Sequence, residues 1–154
     1  MKEIPLTQGK AALVDDEDFD YINQWKWHFH RTGYAARGYN KKYMHRVILE
    51  RYNFNLGQRY INEIDHINHN GLDNRKSNLR LATISQNQQN SQIKRNNKSG
   101  YKGVVFRKDA NKWRAQIGFN EKTFCLGYFN NPKSAAQSYN KKAKELFGQF
   151  ARTT

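Results

Sequence analysis

The stretch IDHINHNGLDNRKSNLRLATISQNQQN, residues 64–90, gathers imidazole, carboxylate and carboxamide groups in a chain with a single cysteine, Cys125. That combination suits phosphodiester hydrolysis, which needs a water made nucleophilic and stabilisation of charge on the phosphate oxygens and the departing alkoxide. An imidazole of near-neutral pKa supplies the first, and a divalent cation on oxygen ligands supplies the second. Asp65 and His66 offer both in adjacent positions. His66 is then the candidate general base. Asp65 and the amide oxygen of Asn87 form a two-ligand set whose other positions go to water and phosphate, as suits Mg²⁺ with Mn²⁺ as a substitute. The lone thiol excludes an internal disulfide framework and a multi-cysteine zinc site.

The other polar candidates are weaker. His69 lies three residues beyond His66, His45 is better placed to pack than to act, and His28 and His30 have no nearby acidic partner in the sequence. Asn90 is one helical turn from Asn87 and can face DNA or solvent. Arg75 and Arg80 are candidate phosphate contacts.

Neighbours on a flat strand point to opposite faces, so Asp65 and His66 share a site only if the strand ends or bends at Asp65. The Asn- and Gly-rich loop that starts at His66 supplies such a bend. The pattern predicts a strand near Tyr60 to Asp65, the loop, a second strand at NLRLAT, and a helix from Ser85 to about Lys94. Thr83 and Gln86 provide the capping box of that helix. Upstream, KYMHRVILERY predicts a short helix over 42–52 with Met44, Val47, Ile48 and Tyr52 on one face.

Residues 1–40 read as short strands, with Trp25, Trp27 and Phe29 alternating against Lys26 and His28, although VDDEDFDYINQ also suits a helical turn with acids at its positive end. KRNNKSG lacks apolar periodicity and marks a basic linker at 95–100. Beyond it YKGVVF, KWRAQIGF and KTFCLGYF predict three strands. A helix then starts at Pro132 after the cap Asn131, with Ala135, Ala136, Tyr139, Ala143 and Leu146 or Phe147 inward. The expected class is α+β: a β-rich segment over 1–40, a strand-loop-strand-helix motif over 41–94, the linker, and over 101–154 a three-stranded antiparallel sheet packed on one helix.

The spacing from Asp65-His66 to Asn78, twelve residues after His66, and to Asn87, nine further on, resembles the HNH nucleases. It resembles specifically the phage and intron homing endonucleases whose final His is replaced by Asn; MHR upstream and LDNRKSNLR in the loop carry the same resemblance. It covers about residues 43–91 and implies a ββα-metal fold in which His66 is the base, Asp65 and Asn87 hold the metal, and Asn78 braces the loop that orients His66. Residues 101 to about 150 resemble the ethylene-response-factor (AP-two) type of DNA-binding domain, through the Y-basic-G-V opening, KW-x-A-x-I, LG-x-F and the AA-x-x-Y helix. Val105 stands where that family usually has Arg and Cys125 where it often has Trp. Lys102, Arg107 and Trp113 match its contact positions.

Charge agrees with a polyanionic partner. Residues 1–65 carry ten Lys/Arg against nine Asp/Glu, and residues 66–154 seventeen against four. Such a field steers and binds phosphate backbones. Strand alternation offers Arg107, Arg114 and Gln116 to base edges and Lys102 and Lys122 to phosphates of double-stranded DNA. RNA is disfavoured because the sheet pattern offers no obvious pair of exposed stacking aromatics. No long apolar run suggests a membrane, and the N-terminus has no signal-peptide core, so an intracellular, cytoplasmic protein of a bacterial or phage-infected cell is expected. No protein partner is implied; monomer or homodimer both fit. The reading that unites these features is a site-specific, single-metal DNA endonuclease. The alternative is a non-catalytic, transcription-regulator-like DNA-binding protein with a degenerate nuclease core.

Overall fold

A computed structural model describes residues 1–52, 63–91, 93 and 96–153, and it is an α+β chain of four small antiparallel sheets and four α-helices among those residues. The start of the strand expected near Tyr60, the helix end near Lys94 and part of the 95–100 linker lie outside them. Two compact units divide between Asn87 and Gln88, earlier than the expected linker.

In the first unit, strands β1 (Lys2–Pro5) and β2 (Ala11–Val14) form a hairpin that pairs Lys2 with Val14 and Pro5 with Ala11. Its alternation turns Ile4, Ala12 and Val14 inward. Helix α1 (Asp16–Asn23) follows, its first turn holding Asp16, Glu17 and Asp18 against the positive end of the helix dipole. This helix replaces part of the expected Trp25 strand. Only β3 (His28–Phe29) and β4 (Ala35–Arg37) pair there, completed by β5 (Lys42–Tyr43). Trp27 is buried with its indole N–H donated to the Ile22 carbonyl at 2.9 Å, and the Arg37 guanidinium covers the Trp25 ring at 3.9 Å. Helix α2 (Met44–Arg51) buries Met44, Val47 and Ile48.

Strands β6 (Glu63–His66) and β7 (Leu79–Ala82) pair Glu63 with Ala82, Asp65 with Arg80 and His66 with Leu79. Helix α3 (Ile84–Asn90) starts at a reciprocal capping box: Gln86 N–H donates to Thr83 Oγ1 at 3.1 Å, and Thr83 N–H to Gln86 Oε1 at 2.8 Å. One core holds Ile4, Ala12, Val14, Ile22 and Trp27 together with Met44, Ile48, Ile64 and Leu79. Residues 1–40 are therefore not a body apart from the central motif. The N-terminal strands cannot bury both faces alone, and the thin motif needs their apolar side chains.

The second unit is an antiparallel sheet in the order β10-β9-β8, from β8 (Val104–Arg107), β9 (Lys112–Phe119) and β10 (Lys122–Phe129). Asn120 and Glu121, at φ of 48° and 61°, make the two-residue turn whose twist matches the flanking strands. Helix α4 (Pro132–Phe147) is capped by Asn131, whose side chain accepts the Ser134 N–H at 2.8 Å. It buries Ala135, Ala136, Tyr139 and Ala143 against Val104, Ala115 and Ile117. The small alanines let the helix approach closely. Contrary to the sequence pattern, the sheet does expose aromatics: Phe106, Phe124 and Tyr128.

Gly103 sits at φ +70°, and a Cβ there would overlap the Tyr139 ring and lie 2.6 Å from the Gln116 carbonyl oxygen. Gly103→Ala is expected to destabilise the second unit by about 2–4 kcal/mol, combining positive-φ strain with overpacking, read as a lowered thermal midpoint of the full chain.

Candidate active site

The loop between β6 and β7 is polar, yet much of it is buried: Asp73, Asn74 and Asn78 are 2%, 0% and 6% exposed. Each such group needs a partner, and the partners come from the N-terminal hairpin as well as the loop. Leu13 donates its N–H to the Leu72 carbonyl and accepts the Asn74 N–H, both at 2.8 Å, so the end of β2 adds to the loop as a parallel bridge. Asp15 accepts the Lys76 N–H at 2.8 Å, and Lys76 pairs with Glu17. Within the loop, Asn78 donates to the Asp73 carbonyl at 2.8 Å and accepts the Asn68 N–H at 2.9 Å, tying its two ends together. Arg75 grips Asp73 at 2.6 and 2.7 Å and holds that carboxyl below the usual carboxylate range. Gly71 is needed for closeness, since a Cβ would lie 2.6 Å from both the Gly33 carbonyl oxygen and the Tyr34 ring.

His66 is the last residue of β6 and 5% exposed. Its Nε2 lies 3.3 Å from Asn74 Oδ1. Asn74 spends its amide hydrogens on the Leu72 carbonyl at 3.2 Å, which identifies Oδ1 as the atom facing the ring. Rings enclose the imidazole: Tyr34 at 5.5 Å, tilted, and His45 at 5.1 Å, edge-on. Tyr43 in turn stacks on His45 at 5.5 Å. Burial pushes the His66 pKa down, opposed by the Asn74 bond and by the charges of Asp65 and Asp73.

The ladder continues through His66, so the bend falls after His66 and not at Asp65 as expected, yet Asp65 lies near enough for its charge to act on the imidazole. Asp65 contacts Arg80, whose Nε and Nη2 lie 2.7 and 2.6 Å from its Oδ2. Glu63, on the same strand face, accepts a hydrogen bond from the Asn87 amide at 3.2 Å. Asn87 thus reaches Glu63 from the first turn of α3, while the His66 ring lies against Tyr34, His45 and Asn74. Asp65 and Glu63 bring two carboxylates to this part of the strand, and the Asn87 side chain meets Glu63 through its amide nitrogen; carboxylate and carboxamide oxygens are the donor types that hard divalent cations take.

Three residues escaped the sequence reading. Glu63 is signalled only by its i, i+2 relation to Asp65. Asn74 lies in the Asn-rich loop with nothing to single it out, and Tyr34 comes from a distant segment. Of the weaker candidates, His69 sits in the turn at φ +64°, and His28 and His30 stack edge to face at 6.5 Å.

The nucleic-acid candidates are dispersed. Arg75 and Arg80 are engaged by Asp73 and Asp65. Lys102, expected at a phosphate, instead donates to the carbonyls of Gln88, Gln89 and Ser91 at 3.3, 2.6 and 3.0 Å, capping the chain as it leaves α3. Burial there lowers its pKa to about 8. Arg107 pairs with Asp109 at 3.0 Å, and Trp113 packs edge-on against Phe106 at 5.0 Å. Arg114 and Gln116 lie on one face of β9, with Val105 opposite Arg114 on one side and Tyr128 on the other. The Arg114 Nε is buried without a hydrogen-bond partner among the described residues. Lys122 opens β10, exposed.

His45 yields a pH prediction. Burial lowers its pKa from 6.5 to about 3, and its Nδ1 has no partner among the described residues. The folded chain keeps this ring neutral while the unfolded chain protonates it below about pH 6.5, so folding stability falls as pH drops from there toward 3. His45→Phe is expected to flatten that limb by up to about 1.4 kcal/mol per pH unit, measured by denaturant titration at pH 7, 5.5 and 4.5.

With this geometry in hand, comparison with known proteins is direct. The family model described as HNH endonuclease matches residues 42–89, from β5 through most of α3. The chain is 33% identical over 147 residues to an uncharacterized HNH endonuclease of Acanthamoeba polyphaga mimivirus, covering 94% of this chain and 74% of that protein. It is 35% identical over 89 residues to Protein 3.8 of Escherichia phage T7, covering 58% and 73%. No solved structure matches. No helix among the described residues is long and apolar enough to cross a membrane. A relative matched across both units, together with the family match over the His66 strand and loop, establishes that the chain belongs to the HNH endonuclease family.

Proposed function

We propose that the chain is a metal-dependent DNA endonuclease of homing-endonuclease type, in which His66 is the general base and the second unit grips the DNA. The observation that carries this reading is the Asn74 bond to His66. An Asn74 Oδ1 facing Nε2 favours the Nε2–H tautomer, which makes Nδ1 the basic nitrogen. His66 then takes the proton of the attacking water through Nδ1, while Tyr34 and His45 fix the ring. Asp65 and Asn87, with Glu63 beside them, would hold one divalent cation such as Mg²⁺, with Mn²⁺ as a substitute. Bound there, it supplies charge stabilisation on the phosphate oxygens and on the leaving 3′ oxygen. Asn78 keeps the loop closed, and the products are 5′-phosphate and 3′-hydroxyl ends.

For the second unit we propose a DNA-binding sheet of the ethylene-response-factor type, with Arg107, Arg114 and Gln116 toward the bases, Lys122 toward a phosphate and Trp113 as the support of the sheet edge. Arg114 and Gln116 favour this face, because they sit two residues apart on the polar side of the central strand, partly exposed, where a guanidinium and a carboxamide can meet base edges.

Magnesium-dependent cleavage of plasmid DNA by the wild type is expected. His66→Ala should lower the rate roughly 10²–10⁴-fold while leaving DNA affinity unchanged. No cleavage by a folded wild type would favour the non-catalytic DNA-binding reading instead. Lys122→Ala is expected to weaken duplex binding across sequences and reduce the log–log salt slope by about 1, whereas Arg114→Ala should cost about 1–3 kcal/mol of binding and relax sequence preference, both measured by fluorescence anisotropy across salt concentrations and duplex sequences.

A further inference from the structure

We propose that Arg80 is a resident cation on Asp65 that a divalent metal must displace, and that DNA phosphate draws Arg80 away. This rests on the reading of Asp65 as a metal ligand.

Arg80 and Asp65 face each other across the β6–β7 ladder, and both Nε and Nη2 converge on one carboxylate oxygen at 2.7 and 2.6 Å. The side chains are only 13% and 6% exposed, so water compensates little for breaking the pair. A metal on Asp65 would face a guanidinium within a few ångströms, and that repulsion is strong where water is scarce. The pair therefore opposes metal binding by the free protein.

Phosphate alters the balance. A guanidinium forms two parallel bonds to phosphate as well as to carboxylate, and the arginine stem is long enough to swing while its Cα stays in the ladder. When Arg80 moves to a phosphate, its positive charge leaves Asp65, and a divalent cation can approach that carboxylate with Glu63 and Asn87 beside it. Metal and DNA then bind with positive coupling, each raising affinity for the other by the same factor. The exchange gives Arg80 a use beyond the phosphate contact suggested by its charge. It also keeps the metal off a protein that has no DNA in place.

The test is Mn²⁺ affinity of the full chain, by electron paramagnetic resonance of free Mn²⁺ or by calorimetry, so it does not depend on cleavage. Without DNA, Arg80→Met is expected to bind Mn²⁺ about tenfold tighter than wild type, within the usual range of coupling between sites. A short mixed-sequence duplex should tighten Mn²⁺ binding to the wild type about tenfold more than to Arg80→Met, in which phosphate ligation of the metal is the only gain. Equal or weaker Mn²⁺ binding by Arg80→Met overturns the exchange. If at the same time Asp65→Asn abolishes wild-type Mn²⁺ binding, the metal-ligand reading survives alone; if Asp65→Asn has no effect in either background, that reading falls and the exchange with it. Should circular dichroism show Arg80→Met unfolded, Arg80→Lys carries the test, because it keeps the charge but loses the two-nitrogen grip, and tighter Mn²⁺ binding than wild type is required of it.

Discussion

A buried loop made of asparagines and aspartates stays folded only if every polar group finds a partner, and here the decisive partner is the backbone of Leu13. Its two 2.8 Å bonds to residues 72 and 74 join the N-terminal hairpin to the loop that carries the His66 contacts. The same join sets Asn74 between Leu72 and the imidazole. The Asp15 and Glu17 contacts to Lys76 fasten the far end of the loop. The first 40 residues thus act on the site without supplying a reacting group. They determine the shape of a loop that has too few apolar side chains to shape itself.

Charge within the first unit follows one rule: each buried carboxylate carries its own arginine. Asp18 has Arg51, Asp73 has Arg75 and Asp65 has Arg80. The first two pairs are architectural. Arg51 ties α2 to α1, with Tyr52 adding a 2.9 Å bond to the same Asp18 oxygen, and Arg75 stiffens the loop turn. The third pair differs by position, since it lies on the strand face that also carries Glu63 and receives Asn87. An ion pair in that place is a fold contact and, on the proposed reading of Asp65 as a metal ligand, would also compete with the metal.

Local features were legible in the sequence wherever the deciding atoms lie within a few residues of one another. The Thr83–Gln86 capping box, the Asn131 cap and the alanine stripe of α4 follow from short-range rules and are found as expected. The helical alternative offered for VDDEDFDYINQ is found, as α1, whereas of the Trp25–Phe29 alternation only His28–Phe29 pairs as a strand, and Trp27 satisfies its indole by reaching back to Ile22. Partners distant in sequence were not legible at all. Nothing in the order of residues announces that Leu13 would pair with the loop or that Tyr34 would lie against His66. Arg75, Arg80 and Lys102 illustrate the same limit from the other side. Their positive charge is plain in the sequence, but whether it meets a carboxylate, a carbonyl or a phosphate depends on which acceptors the fold brings near.

That distinction bears on how a small basic protein selects its ligand. Seventeen Lys/Arg in residues 66–154 create the long-range field, but a field draws any polyanion and does not choose among them. Choice requires donors held in place before the ligand arrives. Lys102 is spent on the end of α3 and Arg107 is shared with Asp109, so neither presents a fully free, preset donor. Arg114 is held by the central strand with Val105 and Tyr128 across from it, and Gln116 follows two residues on, along the same face. Rigid placement on a strand flanked on both sides costs little further entropy on binding, so under the proposed DNA reading discrimination would fall to those two side chains more than to the exposed lysines around them.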